Sequence, residues 1–383
     1  MPRNLRPIHA LVVAGVAITA ACSPLATPEL RTDSSTGQTQ QAPSGSTRPG
    51  STAKATPQVV PADRRWRPGT QQHGLQVYTH NANGKTADAN IEKILDYVVA
   101  RGANSVAFSF PLYTDGQHPK RVYTSEQTPS PAVMARIIKA SHARGLRVMV
   151  RPLLDEENLR TDSGGWRGTI APPNLDGWFR SYEQALEPYL EAATTAKAEE
   201  FVLATELTSL QSQRARWKGL AGRAGKVFPG TLSYTFNFDS KGPAVVPANG
   251  SLGLDLYFAV DLGPDATVDQ LTKALSRHLL DKPKELRKVM VAQEVGIAAV
   301  DGAYRKPWLW GTPKSAGPNP AIQVNWFTAA CRAVEQTGLQ GLYFWMIDSS
   351  TDPTTISPAT EGTAGFVGRP GEKAIERCFA DRP

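Results

Sequence analysis

Residues 67–383 are predicted to fold as one (β/α)8 barrel, a TIM barrel. Three observations predict it: eight apolar segments of β character, amphipathic helical segments between most of them, and glycines where helices should end. A repeated strand–helix unit covers both faces of a parallel sheet, so its strands are apolar almost throughout. A single barrel domain commonly has ~250 residues or more.

Eight segments carry the aliphatic and aromatic residues typical of buried strands. They are predicted at His73–Tyr78, Ser105–Phe110, Arg147–Pro152, Glu200–Glu206, Thr231–Phe236, Leu252–Phe258, Lys288–Glu294 and Gly341–Trp345. Because these runs contain few polar residues, we expect the strands to be covered on both faces.

The first two helices show the repeating unit most clearly. The apolar face of the first helix is formed by Ile91, Ile94, Leu95, Val98 and Val99. The second helix is predicted to begin at Ser130, an N-cap residue followed by Pro131 at the first helical position. Gly102 and Gly145 follow these helices, and glycine readily adopts the left-handed conformation that closes a helix.

Residues 237–250, between the fifth and sixth strands, are rich in glycine and proline, and no helix is predicted there. An open, doubly wound sheet is therefore the alternative architecture. Such a sheet normally carries a glycine-rich nucleotide loop after an early strand, and the sequence contains neither G-x-G-x-x-G nor G-x-x-x-x-G-K-[ST]. The barrel is favoured.

Residues 1–21 are predicted to be a secretory signal peptide. Arg3 and Arg6 precede the apolar run 11–18, which is shorter than the ~20 residues that span a bilayer. Cys22 follows two alanines, an order that resembles a bacterial lipobox, in which the cysteine is acylated. We therefore expect a lipoprotein on the outer face of the cytoplasmic membrane or cell envelope. Ordinary signal cleavage with an incidental cysteine is the alternative.

Residues 23–66 are rich in Ser, Thr, Pro, Gln and Gly. Because they hold too little apolar surface to offset the entropy of ordering, they are predicted to be a disordered tether. The formal charge of the chain is +7, but its basic residues are scattered, so we interpret the charge as a solvated surface and predict no nucleic-acid partner.

Metal-dependent and esterase chemistry are not predicted. The six histidines form neither H-E-x-x-H nor H-x-x-x-H, and no G-x-S-x-G motif is present. We expect no metal, no cofactor and a monomer. Cys331 and Cys378 are candidates for a disulfide that joins the last two helices after export, and two buried free thiols are the alternative.

Glu206 and Glu294 each end an apolar β-run, on the predicted fourth and seventh strands. The C-terminal strand ends of a barrel form the floor of its active site. Two carboxyl groups there suit glycosidic cleavage, in which one protonates the departing oxygen and the other attacks or activates water. A separation of ~5–5.5 Å would indicate retention of configuration. Either glutamate as a helix N-cap or a salt-bridged strand end is the alternative.

Several segments resemble glycoside hydrolase family 113 in sequence and in order. They are Val148–Asp155, Gly165–Ile170, Trp178–Tyr182, Ala204–Leu207, Leu232–Phe238, Asp255–Phe258, Gln293–Gly296 and Tyr343–Trp345. The resemblance runs from about residue 75 to the C-terminus. It implies a retaining (β/α)8 hydrolase that cleaves β-1,4-mannan, with Glu206 as the acid/base and Glu294 as the nucleophile.

Three segments depart from the pattern of the family or of its wider clan. Arg151-Pro-Leu153 replaces the usual Lys-Pro-His, Glu294-Val-Gly-Ile297 replaces the preferred Glu-Ile-Gly-Tyr, and Thr205 replaces an asparagine common in the wider clan. Arg151 is a candidate clamp for the carboxylates of the site or for an acidic substrate, and an ion pair with Asp155 or Glu156 is the alternative. Asn237 is a candidate ligand for the 2-hydroxyl of the sugar.

Aromatic residues supply the remaining substrate-binding candidates. Trp345, at the end of the eighth strand, is expected to stack on a sugar ring, and Trp166 and Trp308 are expected to extend that platform. Loop or core packing is the alternative for each. Tyr257 is expected to donate a hydrogen bond to the nucleophile, and a buried tyrosine with a backbone partner is the alternative.

The sequence therefore predicts an exported, retaining β-glycoside hydrolase that acts on a β-mannan-like polysaccharide or an envelope glycan. A non-catalytic carbohydrate-binding lipoprotein on the same barrel is the first alternative, and a transglycosylase is the second. The two strand-end glutamates favour an enzyme, because a binding protein does not need both.

Overall fold

The computed structural model describes residues 56–154, 159, 165–240, 242–248, 250–309, 317–355 and 364–380. The predicted signal peptide, Cys22 and most of the predicted tether lie outside the described residues. No helix in the described part of the chain is long and apolar enough to cross a membrane.

Nine strands form one sheet. They are β1 (Gln72–Tyr78), β2 (Ser105–Thr114), β3 (Val122–Tyr123), β4 (Arg147–Leu154), β5 (Glu200–Thr205), β6 (Thr231–Asn237), β7 (Ser251–Asp255), β8 (Met290–Val295) and β9 (Gly341–Asp348). All except β3 are parallel, and pairing of β1 with both β2 and β9 closes an eight-stranded barrel. The predicted barrel is confirmed.

The helices surround this barrel. They are α1 (Lys85–Ala100), α2 (Pro131–Ala143), α3 (Leu175–Ala196), α4 (Arg214–Val227), α5 (Val268–Leu280), α6 (Lys284–Arg287), α7 (Pro320–Thr337) and α8 (Gly371–Ala380). Ser130 caps α2 as predicted, since its side chain accepts a hydrogen bond from the backbone nitrogen of Val133. Between β6 and β7 the described residues form no helix, which also agrees with the sequence.

The predicted strand bounds differ most at β2. This strand was expected to end at Phe110 but continues to Thr114, because its last residues pair antiparallel with β3. Since β3 lies outside the barrel, the fourth and seventh barrel strands are β5 and β8. Their C-terminal ends lie on the same face of the barrel.

The barrel interior contains a polar layer below the strand ends. Near the N-terminal end of the barrel, the Arg147 guanidinium donates to Glu200 at 2.5 Å and to the Tyr343 hydroxyl at 3.1 Å. Gln293 donates to the other oxygen of Glu200 at 2.9 Å and accepts a hydrogen bond from Thr235. Because both charges and the amide have partners, the polar layer is compatible with full burial.

The folded part begins before the predicted residue 67. Val60 is only 2% exposed, and its N–H donates to the carbonyl oxygen of Arg144 at 2.8 Å. Arg64 donates to two backbone carbonyl oxygens, and the ring of Trp66 lies 4.9 Å from the guanidinium carbon of Arg147. The last residues of the predicted tether therefore pack against the barrel. They include one buried aliphatic side chain and several hydrogen-bond donors, which the overall composition of the tether did not indicate.

Cys331 and Cys378 form a disulfide. Cys331 belongs to α7 and Cys378 to α8, so the bond joins the last two helices of the barrel. Both cysteines are buried among the residues of the main apolar core.

Candidate active site

Three buried carboxylates converge at the C-terminal ends of β5, β7 and β8. They are Glu206, Asp255 and Glu294, and together we call them the carboxylate cluster. Two arginines contact the cluster: Arg151 from β4, and Arg167 from the 3-10 helix Arg167–Thr169. The site thus combines three acidic groups and two cations in a space that solvent hardly reaches.

Glu294 lies at an irregularity in β8. Leu254 pairs with Ala292, but the next residue, Asp255, pairs with Glu294, so one residue of β8 is left without a partner on β7. Such a bulge changes the direction of neighbouring side chains. It allows Gln293 to join the polar layer of the interior while Glu294, the next residue, faces the carboxylate cluster.

Each carboxylate oxygen of Glu294 accepts a hydrogen bond. Nη1 of Arg151 donates to Oε1, and the hydroxyl of Tyr257 donates to Oε2 at 2.7 Å. The contact of Tyr257 is the one expected from the sequence. The Glu294 carboxylate is therefore oriented by a cation on one oxygen and a neutral donor on the other.

Arg151 is fully buried and binds carboxylates on two strands. Besides Glu294, it contacts Oδ2 of Asp255 through Nη2 at 2.6 Å. Of the roles expected for this residue, the clamp on carboxylates of the site is the one observed. A contact with an acidic substrate is not compatible with its complete burial, and Asp155 and Glu156 lie outside the described residues.

Glu206 directly follows β5 in a left-handed conformation, with φ +54°. Residues other than glycine rarely adopt this conformation, and such strain is often found at functional sites. Nη1 of Arg167 donates to Oε2 of Glu206 at 2.9 Å, and Nε of the same arginine donates to the carbonyl oxygen of Leu154 at 3.1 Å. Glu206 is therefore salt-bridged at a strand end, with its partner held in place by the backbone.

The environment opposes ionisation of two members of the cluster. Burial raises the pKa of Glu206, Arg167 opposes that effect, and the negative charge of Glu294 adds to it. Burial likewise raises the pKa of Asp255 well above its usual range, although Arg151 opposes this rise. A carboxyl group that keeps its proton at higher pH is suited to act as a general acid.

Trp345 is buried within β9, which continues for three residues beyond it to Asp348, so it does not end the strand as predicted. Its ring centroid is 6.0 Å from that of Tyr78, and Tyr78 stacks on His80 at 5.8 Å. Both Tyr78 and His80 are half-buried. Trp345 therefore packs beside the end of β1, and its stacking on a sugar ring stays a prediction.

The other predicted aromatic residues lie on two different parts of the same face. Trp166 packs its six-membered ring over Gly168, next to Arg167. Trp308 stacks on Phe238, which directly follows β6, with ring centroids 5.6 Å apart. Both tryptophans are half-buried, so each combines a packing contact with some exposure.

Asn237 ends β6 and pairs in register with Asp255. Its Oδ1 accepts a hydrogen bond from the backbone nitrogen of Phe238 at 2.9 Å. The side chain thus lies beside the carboxylate cluster in an orientation set by its own backbone.

Asp255 and Arg167 were not predicted from the sequence as site residues. Asp255 lies in the middle of the predicted strand Leu252–Phe258, whereas the structure ends β7 at Asp255 and so places this acid at a strand end. Arg167 had no local signal, because it lies in a connecting segment and reaches Glu206 only through the fold. Among the described residues, no group of three or more His, Cys, Asp or Glu side chains is arranged to bind a metal.

Comparison with known proteins gives one family match and several structural matches. The family model described as Glycoside Hydrolase Family 113 matches residues 77–361. No curated protein matches the chain.

Among solved structures, a family 113 β-1,4-mannanase has a TM-score of 0.69 and 17% identity, covering 82% of this chain and 100% of that chain. The family 113 β-mannanase AaManA from Alicyclobacillus acidocaldarius, in complex with ManMIm, has a TM-score of 0.65 and 19% identity, covering 82% and 98%. The exo-β-1,4-mannosidase Op5Man5 from Opitutaceae bacterium strain TAV5 has a TM-score of 0.52 and 15% identity, covering 84% and 62%. At these identities, the structural matches establish a shared barrel fold.

Proposed function

This chain belongs to glycoside hydrolase family 113, and we propose that it cleaves a β-linked polysaccharide with retention of configuration. The observation that carries this proposal is the contrast between its two strand-end glutamates. Glu294 accepts hydrogen bonds from the buried guanidinium of Arg151 and from the hydroxyl of Tyr257. Burial raises the pKa of Glu206, which favours its protonated form. The double-displacement mechanism requires an oriented nucleophile and a proton donor.

In the first step, the Glu294 carboxylate attacks the anomeric carbon and forms a glycosyl ester. The bond from that carbon to the leaving oxygen breaks, and Glu206 gives its proton to this oxygen. In the second step, Glu206 removes a proton from water, the water oxygen attacks the anomeric carbon, and the ester bond to Glu294 breaks. Glu206 regains its proton and Glu294 its charge, so both return to their starting states.

We propose a β-mannan-like chain or an envelope glycan as the substrate. The solved structures that share the barrel include β-1,4-mannanases and a β-1,4-mannosidase, which supports a mannosyl unit. The neighbouring aromatic residues Tyr78 on β1 and Trp345 on β9 support stacking against pyranose rings. We further propose that the protein is an exported lipoprotein acylated at Cys22, and that it acts as a monomer without a cofactor.

The test is intact-protein mass spectrometry of the full chain incubated with 2-deoxy-2-fluoro-β-glycosyl fluorides of the manno, gluco and galacto series. The fluorine at C2 slows the second step, so a sugar adduct accumulates. We expect the adduct on Glu294 of the wild type and none in Glu294→Gln. Glu285→Gln, a change at an exposed glutamate, is the matched control and should be labelled like the wild type.

Glu206→Gln separates the two roles. Fluoride leaves without a proton, so this variant should still form the adduct while losing most of its activity on polysaccharide. A wild type that binds oligosaccharide but is not labelled by any probe would favour the carbohydrate-binding alternative. Release of the adduct by an added oligosaccharide but not by water would favour the transglycosylase.

A further inference from the structure

The mechanism above does not use Asp255, although this residue belongs to the carboxylate cluster. Asp255 ends β7, is fully buried, and pairs in register with Glu294 on β8. Its Oδ2 contacts Nη2 of Arg151 at 2.6 Å. Within the described residues, no hydrogen bond reaches its Oδ1. The side chain of Asp255 therefore acts on its surroundings chiefly through Arg151.

Arg151 connects Asp255 to Glu294 through two different nitrogens. Nη2 binds Asp255, and Nη1 binds Oε1 of Glu294. Its Nε has no hydrogen-bond partner in the described part of the chain. Because a guanidinium group is planar and rigid, fixing one amino nitrogen fixes the direction of the other. The position of Arg151 at Glu294 thus depends on Asp255.

We propose that Asp255 is a positioning residue that holds Arg151 against Glu294, the nucleophile, and that it shares the positive charge of Arg151 with Glu294. The proposal rests on the retaining mechanism proposed above. With Asp255 ionised, one cation serves two carboxylates, so Glu294 is kept in place without being fully neutralised. With Asp255 uncharged, the whole charge of Arg151 acts on Glu294, which makes its oxygens less nucleophilic.

Charged groups from several elements surround Asp255. Arg151 on β4 and Arg167 beyond it are cations, whereas Glu206 after β5 and Glu294 on β8 are acids. The hydroxyl of Tyr257, two residues further along the chain, binds Glu294 on its other oxygen. Burial and the two glutamates raise the pKa of Asp255, and Arg151 and Arg167 oppose that rise.

The test measures the rate of adduct formation on Glu294 against pH, with whichever glycosyl fluoride labels the wild type. In Asp255→Asn, we expect the rate constant to fall by 10-fold or more, while the probe concentration for half-maximal rate changes less than 3-fold. The acid limb of the rate profile should move to lower pH, because Arg151 then stabilises the charge of Glu294 alone. This variant keeps a balanced Arg151–Glu294 pair, so it is expected to fold.

Arg151→Lys provides a second, opposite test. A single ammonium group cannot hold both carboxylates, so Glu294 loses part of its cation and the acid limb should move to higher pH. Asp261→Asn is the matched control, because Asp261 is exposed and pairs with Arg305 outside the carboxylate cluster. Its rate and its profile should remain those of the wild type.

Opposite movements of the two acid limbs support the proposal. A limb that stays in place in either folded variant, or limbs that move in the same direction, would overturn it, because a merely structural role affects stability and not the direction of these shifts. If Asp255→Asn shows no cooperative thermal unfolding, the direction in Arg151→Lys decides alone. A wild type without any adduct refutes the retaining mechanism itself, which is a different and earlier result.

Discussion

At the scale of single residues, the two glutamates of the site are chemically identical but differ in the groups that contact them. Glu294 has a fully buried arginine on one oxygen and a tyrosine hydroxyl on the other. Glu206 has one arginine, which is partly exposed to solvent, and a strained backbone. The two glutamates are thus distinguished by neighbours that come from other strands and loops.

Arg167 is expected to set the alkaline limit of activity. The acid must hold its proton, so activity is lost as pH rises through the pKa of Glu206. Arg167 lowers that pKa, so removing its charge in Arg167→Gln should move the alkaline limb of kcat/KM to higher pH. The measurement is the pH dependence of kcat/KM on an aryl β-glycoside.

Arg216→Gln is the control for this change, since Arg216 forms an exposed ion pair with Asp176. Its profile should match that of the wild type. An alkaline limb that stays in place or moves to lower pH in Arg167→Gln would contradict the assignment of Glu206 as the acid.

Tyr257 is expected to contribute to the rate through its hydrogen bond to Glu294. A buried hydrogen bond to a charged group contributes about 1.5–3 kcal/mol, so Tyr257→Phe should lower kcat/KM by about 10- to 100-fold. Burial and the negative charge of Glu294 raise the pKa of Tyr257, which keeps it a neutral donor throughout the working range. Steady-state kinetics of the purified variant measure the effect.

Tyr97→Phe is the matched control, because Tyr97 also donates to a glutamate at 2.7 Å, but in a contact between α1 and α8. This control should lose stability and keep its activity. Equal losses of activity in the two variants would indicate a general effect of the tyrosine hydroxyl on folding.

At the scale of elements, the geometry near the C-terminal ends of the strands determines which side chains face the site. The bulge in β8 places Gln293 in the polar interior and Glu294 at the mouth, although they are adjacent in the chain. Gly253 on β7 leaves room for this arrangement, since a Cβ atom there would lie 2.3 Å from Oε1 of Gln293. The direction of the Glu294 side chain is therefore set by two neighbouring strands together.

The disulfide is expected to stabilise the closing helices without affecting catalysis. Its cysteines are 47 residues apart, and cross-links of this span usually contribute about 2–4 kcal/mol. Replacing both cysteines by serine should lower the free energy of unfolding by that amount and leave kcat unchanged. Urea unfolding of the two proteins, each without reductant, measures the difference. Unchanged stability would mean that the helices hold together without the bond.

At the scale of the whole molecule, a series of contacts between polar side chains runs through the barrel from its N-terminal end towards the site. Trp66 covers Arg147 from below, Arg147 pairs with Glu200, and Glu200 accepts from Gln293, the neighbour of Glu294. The segment that precedes β1 therefore forms part of the domain. It covers a buried charge that would otherwise be open to solvent.

Val60 tests how far this segment contributes to the fold. It is 2% exposed, whereas the adjacent Val59 is 45% exposed. Val60→Ala should lower the free energy of unfolding by about 2 kcal/mol, because it removes buried apolar surface and leaves a small cavity. Val59→Ala should change it by less than about 0.5 kcal/mol, as is usual for surface positions. Equal effects, measured by urea unfolding, would mean that the segment does not pack as described.

Much of the fold could be predicted from local patterns alone. Apolar runs, helical faces and terminal glycines determined the order of the eight barrel strands, because each of these signals lies within a few neighbouring residues. The same logic placed Glu206 and Glu294 on one face, since parallel strands in a barrel share the direction of their C-terminal ends. Asp255 was not found in this way, because the sixth strand was predicted to continue to Phe258 and only the structure ends it at Asp255.

Only the tertiary structure decided which side chains meet. Arg151 binds Asp255 and Glu294, which lie more than 100 positions away in the chain, and Arg167 reaches Glu206 from a connecting segment. The bulge in β8 and the packing of Val60 likewise left no local signal. Such contacts depend on strand register and closure of the barrel, which arise from the packing of the whole chain and not from the pattern of any one segment.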